Sequence, residues 1–133
     1  MCAVDRSEGA ATVVDAAKAT GEPVLLVHVA NSLLSTEIPA FVEDAGATDR
    51  HIEHGPTGPC LLRAAERHHA SLIVLGTRGR LWPSVARWVT RRAPCPVLIV
   101  GPRADPSATP VPRPAFDRKL LRDSKVPVLI TPR

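Results

Sequence analysis

The sequence predicts an α/β fold, with an open parallel sheet of about five strands and helices on both faces. Three continuous apolar runs, Val24–Val29, Leu72–Leu75 and Val97–Val100, have the length of strands. Such runs are typical of strands that are covered on both faces, as in parallel sheets. Segments with helical periodicity separate these runs. Right-handed crossovers between parallel strands therefore place the helices on the two faces of the sheet.

The first 30 residues contain a short strand, a helix and a longer strand. Ala3–Val4 are the apolar residues of the short strand. Ala10, Val14 and Ala17 follow at spacings i, i+4 and i+7, which is the pattern of one buried helical face. Gly21 ends this helix, because glycine readily adopts the left-handed conformation that terminates helices.

The middle of the chain is less regular. Pro39 interrupts the segment after the second strand, which leaves room only for a short helix around Phe41–Asp44. Thr48–His54 alternates weakly and is predicted as an edge strand. Two further helices precede the strands Leu72–Leu75 and Val97–Val100. The second of them is expected to turn Val85, Trp88 and Val89 inward and to carry Arg87, Arg91 and Arg92 on its outer face.

Composition excludes several classes of protein. The 133 residues suit one domain, and no apolar run approaches the ~20 residues of a membrane helix, so we expect no membrane span. The three cysteines, Cys2, Cys60 and Cys95, form no disulfide or zinc pattern, which favours a reducing cytoplasm. The net charge is +4, but two Trp, two Phe and no Tyr provide few stacking platforms, which disfavours a nucleic-acid partner.

The composition changes after residue 101. Five prolines at positions 102, 106, 110, 112 and 114 predict an extended linker over residues 102–115 rather than packed structure. Residues 116–133 then repeat the pattern of a short basic helix followed by P-V-L-I. The sequence thus predicts an α/β domain over residues 1–101, the linker, and a C-terminal helix–strand unit.

Four segments resemble the universal stress protein family: "AVDRSEGA", "PVLLVHV", "HGPTGPCLLRAAERHHASLIVLGTRGR" and "SVARWVTRRAPCPVLIV". The resemblance covers residues 3–101. It implies the fold of the adenine nucleotide alpha hydrolases, a role in stress response, and ATP or AMP as ligand. Members usually dimerise, commonly through the last strand of each domain, and some are tandem pairs. The chain is similar to a shortened member whose repeated final unit would come from a truncated tandem.

The resemblance and the geometry of open α/β sheets together predict a nucleotide site. Ligands bind outside the carboxyl ends of the strands, where the strand order reverses. The family pattern is G-x2-G-x9-G-[S/T], and the segment from Gly76 to Gly79 supplies its first part. Pro83 stands where the next glycine is expected, after a spacer of only three residues, and proline has no N–H to donate. The predicted nucleotide-binding residues are Asp5, Val29, Gly76, Arg78, Gly79 and Ser84.

Catalytic and metal sites are not expected. His68 and His69 are adjacent and point about 100° apart on a helix, and His51 and His54 lack a carboxylate or Cys partner in the sequence pattern. We therefore predict a non-enzymatic stress-response module that binds adenine nucleotide weakly. The alternative is a nucleotide-independent interaction or scaffold protein of the same fold. The glycine pattern itself is also explained by a tight strand–helix connection.

The repeated tail predicts how the sheet edge is covered. An exposed apolar strand such as Val97–Val100 invites association with other strands. Val126–Thr131 is a second copy of this strand, and about 15 residues of extended linker reach roughly 45 Å. We expect the two segments to pair, either within one chain as a self-capped monomer or between two chains of a homodimer.

Overall fold

The computed structural model describes residues 1–4, 10–30, 49–77 and 82–132, so the predicted helix at Phe41–Asp44 lies outside the described part. None of the described helices is long and apolar enough to cross a membrane. The elements, in chain order, are β1 (Cys2–Val4), α1 (Ala10–Ala19), β2 (Leu25–Ala30), β3 (Asp49–His54), α2 (Thr57–Arg67), β4 (Ile73–Gly76), α3 (Trp82–Arg92), β5 (Val97–Val100), β6 (Val111–Arg113), α4 (Arg118–Asp123) and β7 (Val128–Ile130).

One sheet of seven strands contains all of the described strands, in the order β3-β2-β1-β4-β5-β7-β6. The first five strands in this order are mutually parallel, which confirms the predicted α/β sheet and its three buried central runs. The edge strand predicted at Thr48–His54 is confirmed over Asp49–His54, which is β3 at one edge of the sheet. Chain order runs outward from β1 to β3 on one side and continues at β4 on the other, so the strand order reverses between β1 and β4.

The core consists of two apolar layers, one on each face of the sheet. On one face, α2 and α3 bury Leu61 and Val89 against strand residues such as Ile99. On the other face, α1 buries Val14 against residues such as Leu98. Leu98 and Ile99 are neighbours on β5 and belong to different layers, because successive side chains of a strand point to opposite faces. All four residues of β5 are buried, as its continuous apolar sequence predicts.

Strand β7 covers the outer edge of β5 within the same chain. The two strands are antiparallel, with Val97 opposite Ile130, Leu98 opposite Leu129 and Ile99 opposite Val128. Val128 and Ile130 join the layer of α2 and α3, with 2% and 3% of their surface exposed. The apolar tail is therefore part of the core, and β5 is an interior strand in this structure.

The Pro-rich segment 102–115 departs from the extended, unpacked linker that its composition predicts. Val111–Arg113 forms β6, which runs parallel to β7 at the outer edge of the sheet. Earlier in the segment, the Asp105 N–H donates to the Lys125 carbonyl at 2.9 Å, and Ala104 is buried in the layer of α1. Proline is compatible with an edge strand because one side of such a strand needs no hydrogen-bond donors. For this reason Pro112 does not prevent pairing.

Helix α4 is held by a capping side chain and by close backbone packing. The Asp117 carboxylate Oδ1 accepts hydrogen bonds from the N–H groups of Lys119 at 3.0 Å and Leu120 at 3.2 Å. A Cβ atom at position 101 would collide with the carbonyl oxygen of Leu121. Gly101, directly after β5, therefore lets α4 approach the end of that strand, and the Leu121 side chain enters the core.

Gly76 has a packing role at the end of β4. Its φ is not positive, so residues other than glycine can adopt the same backbone conformation. A Cβ atom there would lie 2.8 Å from Cγ2 of Val13 on α1, which is closer than real Cβ contacts. Close approach of α1 to β4 thus accounts for this glycine without a ligand.

Replacing Gly76 with Ala is expected to destabilise the protein by about 1–3 kcal/mol, because Val13 is β-branched and cannot turn away easily. Urea denaturation measures the change. The matched control is the same substitution in a Val13→Ala background, where the obstructing methyl group is absent and the cost should largely disappear. An equal cost in both backgrounds would contradict the packing explanation.

Cys2 is fully buried, and burial raises the pKa of its thiol from 9.0 to about 12, against a smaller opposing effect of the N-terminal ammonium group. In the unfolded chain the thiol ionises from about pH 9, whereas in the folded protein it stays neutral until about pH 12. Stability should therefore be unaffected by this group below pH 9 and fall as the pH rises towards 12, by up to about 4 kcal/mol.

The alkaline prediction is checked by comparing the wild type with Cys2→Ala in denaturant titrations at about pH 8 and pH 11. Loss of stability between the two values should be smaller in the variant. The chain has no Tyr, so no tyrosine ionisation obscures the comparison. Equal losses in both proteins would show that Cys2 does not carry the effect.

Candidate functional site at the carboxyl ends of the strands

The carboxyl ends of β2, β1 and β4 lie side by side. Cys2 is in register with Leu26 on one side and with Val74 on the other. Two residues further along each strand, Val4 is opposite His28, and β4 ends at Gly76. The strand order reverses between β1 and β4, and such an edge is where open α/β sheets bind ligands. The architecture thus provides the location that the sequence predicted for a site.

Three of the six predicted nucleotide-binding residues are described by the structure. Val29 is half-buried near the end of β2, and Gly76 ends β4. Ser84 is exposed at the third position of α3. Asp5, Arg78 and Gly79 lie outside the described residues. The described part therefore contains the ends of two strands and the first turn of one helix, but not the rest of the glycine segment.

Two backbone positions near Gly76 offer no donor to a phosphate. The Thr77 N–H donates to the Val100 carbonyl at 3.3 Å, so it extends the pairing of β4 with β5. Pro83 occupies the second position of α3 and has no N–H. The first turn of a helix is where free N–H groups normally bind phosphate. This chain therefore has fewer backbone donors at the site than the family pattern implies.

A cavity of about 470 Å³ lies beyond the ends of β4 and β5, and α4 forms one of its walls. Its lining includes Thr77, directly after β4, Pro102, two residues after the end of β5, and Phe116. Its basic lining residues are Arg118, Lys119 and Arg122, all exposed. These cations are not among the predicted site residues, although the basic composition of "FDRKLLRD" is a visible signal.

The direction of β7 explains why α4 reaches this end of the sheet. Val128, at the start of β7, is opposite Ile99 near the carboxyl end of β5, because the two strands are antiparallel. Helix α4 precedes β7, so it lies beside the end of β5. If β7 ran parallel to β5, the start of β7 would lie at the amino end of the strands, and α4 would lie there too.

The cations of the cavity differ in their pairing. Arg122 Nε lies 3.4 Å from Oδ1 of Asp123, and both side chains are largely exposed. Surface pairs of this kind contribute little, on the order of 0–1 kcal/mol. Arg118 and Lys119 have no carboxylate partner within the described part of the chain. Their charges are therefore available to an anion in the cavity.

His28 is a buried polar residue at the same edge that the sequence analysis did not select. It is 7% exposed, and its backbone is in register with Val4 at the end of β1. Strand alternation puts its side chain on the face of α1, opposite to Val27. A histidine within an apolar run was the available signal.

A second polar cluster lies at the outer edge, on β3 and α2, and it corrects one expectation. The sequence pattern gives His51 no carboxylate partner, but Glu53 lies on the same face two residues later. Glu53 Oε1 is 3.0 Å from His51 Nε2 and accepts a hydrogen bond from Arg67 at 3.1 Å. Among the described residues no group of three or more His, Cys, Asp or Glu side chains is arranged to hold a metal ion.

Comparisons with known proteins assign one segment of the chain to a family. Residues 40–101 match the model of the Universal stress protein family. A crystal structure of a universal stress protein in complex with cAMP has 23% sequence identity and a TM-score of 0.55, over 74% of this chain and 93% of the other. The structure of a universal stress protein from Archaeoglobus fulgidus has 26% identity and a TM-score of 0.54, over 74% and 94%. No curated protein sequence matches.

The structural likenesses each cover 74% of the chain, and the sequence match ends at Gly101, directly after β5. The expectation drawn from the quoted motifs is therefore confirmed at the level of the family. The matched segment of this chain belongs to the universal stress protein family, and its α/β sheet has that family's fold.

Proposed function

We propose that this universal stress protein is a stress-response binding module that holds an adenine nucleotide, ATP or AMP, weakly and without turnover. The observation that carries the proposal is the reversal of strand order between β1 and β4, beside the cavity at the ends of β4 and β5. One solved universal stress protein of this fold is in complex with cAMP, which gives adenine nucleotides precedence as candidates. The reduced, buried cysteines are consistent with a cytoplasmic location.

The proposed contacts divide between strand ends and the C-terminal unit. Val29 and Gly76 contribute the apolar ends of β2 and β4. Ser84, a phosphate contact that the resemblance implies, is exposed on α3 and lines a neighbouring cavity with Arg87 rather than the cavity beside Thr77. Asp5, Arg78 and Gly79 retain the roles that the resemblance implies. Arg118 and Lys119 add positive charge beside Thr77. Two side-chain cations partly offset the missing backbone donors, so the affinity should be low and should depend on salt.

A nucleotide-independent scaffold of the same fold is the competing function, and two observations favour it. Gly76 is explained by its contact with Val13, and Pro83 removes a donor from the first turn of α3. The scaffold would use the fold as a rigid platform for a partner protein. The two functions differ in one measurable property, the response of stability to nucleotide.

For the assembly, we propose a self-capped monomer, with a homodimer formed by exchange of the tail as the alternative. The support is that β7 pairs with β5 in one chain, at the edge through which the resembling family commonly dimerises. The outer strand β6 is a weak pairing edge, because it has three residues and exposes Pro112 and Arg113.

ATP should raise the thermal midpoint. For a dissociation constant near 0.5 mM, about 5 mM ATP stabilises the folded state by about 1.4 kcal/mol, or roughly 4 °C. Ser84→Ala and the double variant Arg118→Gln/Lys119→Gln should each reduce the shift, whereas Thr109→Ala, an exposed hydroxyl on the Pro-rich segment, should not. No shift would favour the scaffold, and an equal shift with inorganic tripolyphosphate would reject recognition of the nucleoside.

Deletion of residues 116–133 should expose the edge of β5 and cause aggregation or dimerisation, because three buried residues lose their antiparallel partners. Light scattering and size-exclusion chromatography measure the result. The control is Asp117→Ala, which removes the cap of α4 at a cost of about 1 kcal/mol but leaves β7 in the chain. A truncated protein as soluble and monomeric as the full chain would refute the edge-covering role.

A further inference from the structure

A second cavity system lies on the other side of Phe116, away from the ends of β1 and β2. Two adjoining cavities of about 440 and 570 Å³ share Arg87, Pro114, Ala115 and Phe116 in their linings. They form one groove between α3 and the segment that connects β6 to α4. The universal stress protein segment ends at Gly101, so one wall of this groove comes from residues beyond the matched family.

The groove is strongly basic on both walls. Among the residues that the structure describes, its charged lining residues are Arg87, Arg91, Arg92, Arg113 and Arg118, and Asp117 is the only acidic one. All five arginines are exposed. We call this surface the arginine groove.

Most of this charge is unpaired, and the one acidic group is already engaged. Among the described residues no carboxylate forms an ion pair with Arg87, Arg91, Arg113 or Arg118. The Asp117 carboxylate accepts the two N–H groups that cap α4. Unpaired like charges that face each other across a groove repel, so an anionic occupant relieves this repulsion.

The floor of the groove is apolar. Phe116 is partly buried and packs on the core, and Ile130 of β7 is 3% exposed beside it. At one end the Arg92 guanidinium is stacked on Trp88, with its central carbon 4.4 Å from the ring centroid. This contact orients the arginine before any partner binds, which lowers the entropy cost of binding.

We propose that the arginine groove binds an acidic segment of a partner protein, in an extended conformation, with an apolar side chain on Phe116. Three features favour a peptide over a small anion. Positive charge occurs on both walls, and the two adjoining cavities together reach the upper end of the volumes that hold one small ligand. The cations are all arginine, whose planar fork pairs with carboxylates and which is enriched, with aromatic residues, in protein interfaces.

The position of the groove separates this inference from the nucleotide proposal. Arg87 and Arg91 lie on α3, and Arg113 lies on β6, and none of them lines the cavity beside Thr77. Among the described residues, only Arg118 and Phe116 border both cavities, and Ser84, a residue proposed for the nucleotide, lines the groove. Variants of the first three arginines therefore test the groove while the residues proposed for the nucleotide stay unchanged.

The test is fluorescence anisotropy with the full chain and a labelled peptide of about ten residues, which spans roughly 33 Å when extended. The peptide contains Asp and Glu with two leucines, and the matched peptide replaces each acid with Asn or Gln. At about 0.15 M salt, where the Debye length is about 8 Å, we expect the acidic peptide to bind and the matched neutral peptide not to bind. The triple variant Arg87→Gln/Arg91→Gln/Arg113→Gln should lose about tenfold in affinity.

The control variant, Lys18→Gln/Arg103→Gln/Lys125→Gln, removes the same charge from exposed positions outside the groove and should change affinity less than about twofold. The three positions of the groove variant and the three of the control variant are all exposed, so both variants should fold. Thermal denaturation checks that they do. If the triple groove variant is unstable, the single variants Arg87→Gln and Arg113→Gln, on opposite walls, replace it.

Three results would overturn the proposal. The first is that the acidic peptide does not bind under these conditions. The second is that the control variant loses as much affinity as the groove variant, which would indicate a diffuse charge effect. The third is displacement of the peptide by inorganic tripolyphosphate at concentrations near the peptide's own dissociation constant, which indicates a small-anion site. The groove variant should keep any stabilisation by ATP, so failure of the nucleotide proposal leaves this result unaffected.

Discussion

The antiparallel pairing of β7 with β5 is the constraint on which the rest of the structure depends. Strand β5 is buried along its whole length, and a parallel α/β sheet that ended there would expose a flat apolar edge. The tail satisfies this edge with backbone hydrogen bonds and inserts Val128 and Ile130 into the same apolar layer as α2 and α3. The C-terminal unit is thereby part of the domain and not an appendage.

The direction of this pairing decides where the positive charge of α4 lies. Because β7 runs against β5, the basic helix α4 lies at the carboxyl end of the sheet, where α/β proteins bind ligands. Gly101 permits its close approach. The lost backbone donors at Pro83 and the gained cations at Arg118 and Lys119 occur at one edge of the sheet. Side-chain cations attract phosphate less selectively than a ring of N–H groups, which is why we propose weak rather than tight nucleotide binding.

The same unit builds a second surface. Phe116 stands between the cavity at the strand ends and the arginine groove, and Phe116 and Arg118 line both. A partner in the groove would contact the element that also carries the nucleotide-side cations. The two proposed ligands therefore have a physical route for mutual influence through α4, a helix of six residues held mainly by Asp117, Gly101 and Leu121.

Local patterns were sufficient to predict much of the fold. Continuous apolar runs identified the central strands, and the i, i+4, i+7 spacing of Ala10, Val14 and Ala17 identified α1, because burial against a sheet requires these periodicities. The family motifs predicted a site at the carboxyl ends of the strands, and the site itself stays a prediction. Val97–Val100 and Val126–Thr131 were recognisable as two strands with the same need for a partner, since both are apolar and similar in sequence.

Contacts between distant segments account for what the sequence left open. Whether β7 runs parallel or antiparallel to β5 depends on how the intervening chain packs, and that direction decides which end of the sheet receives Arg118 and Lys119. The strand in the Pro-rich segment exists because β7 provides a partner, which no local propensity encodes. The reason for Gly76 lies in Val13, more than 60 residues away, and the pairing of His51 with Glu53 and Arg67 requires β3 and α2 to be adjacent. Such close approaches are properties of the packed chain, because they arise only when elements far apart in sequence share one core.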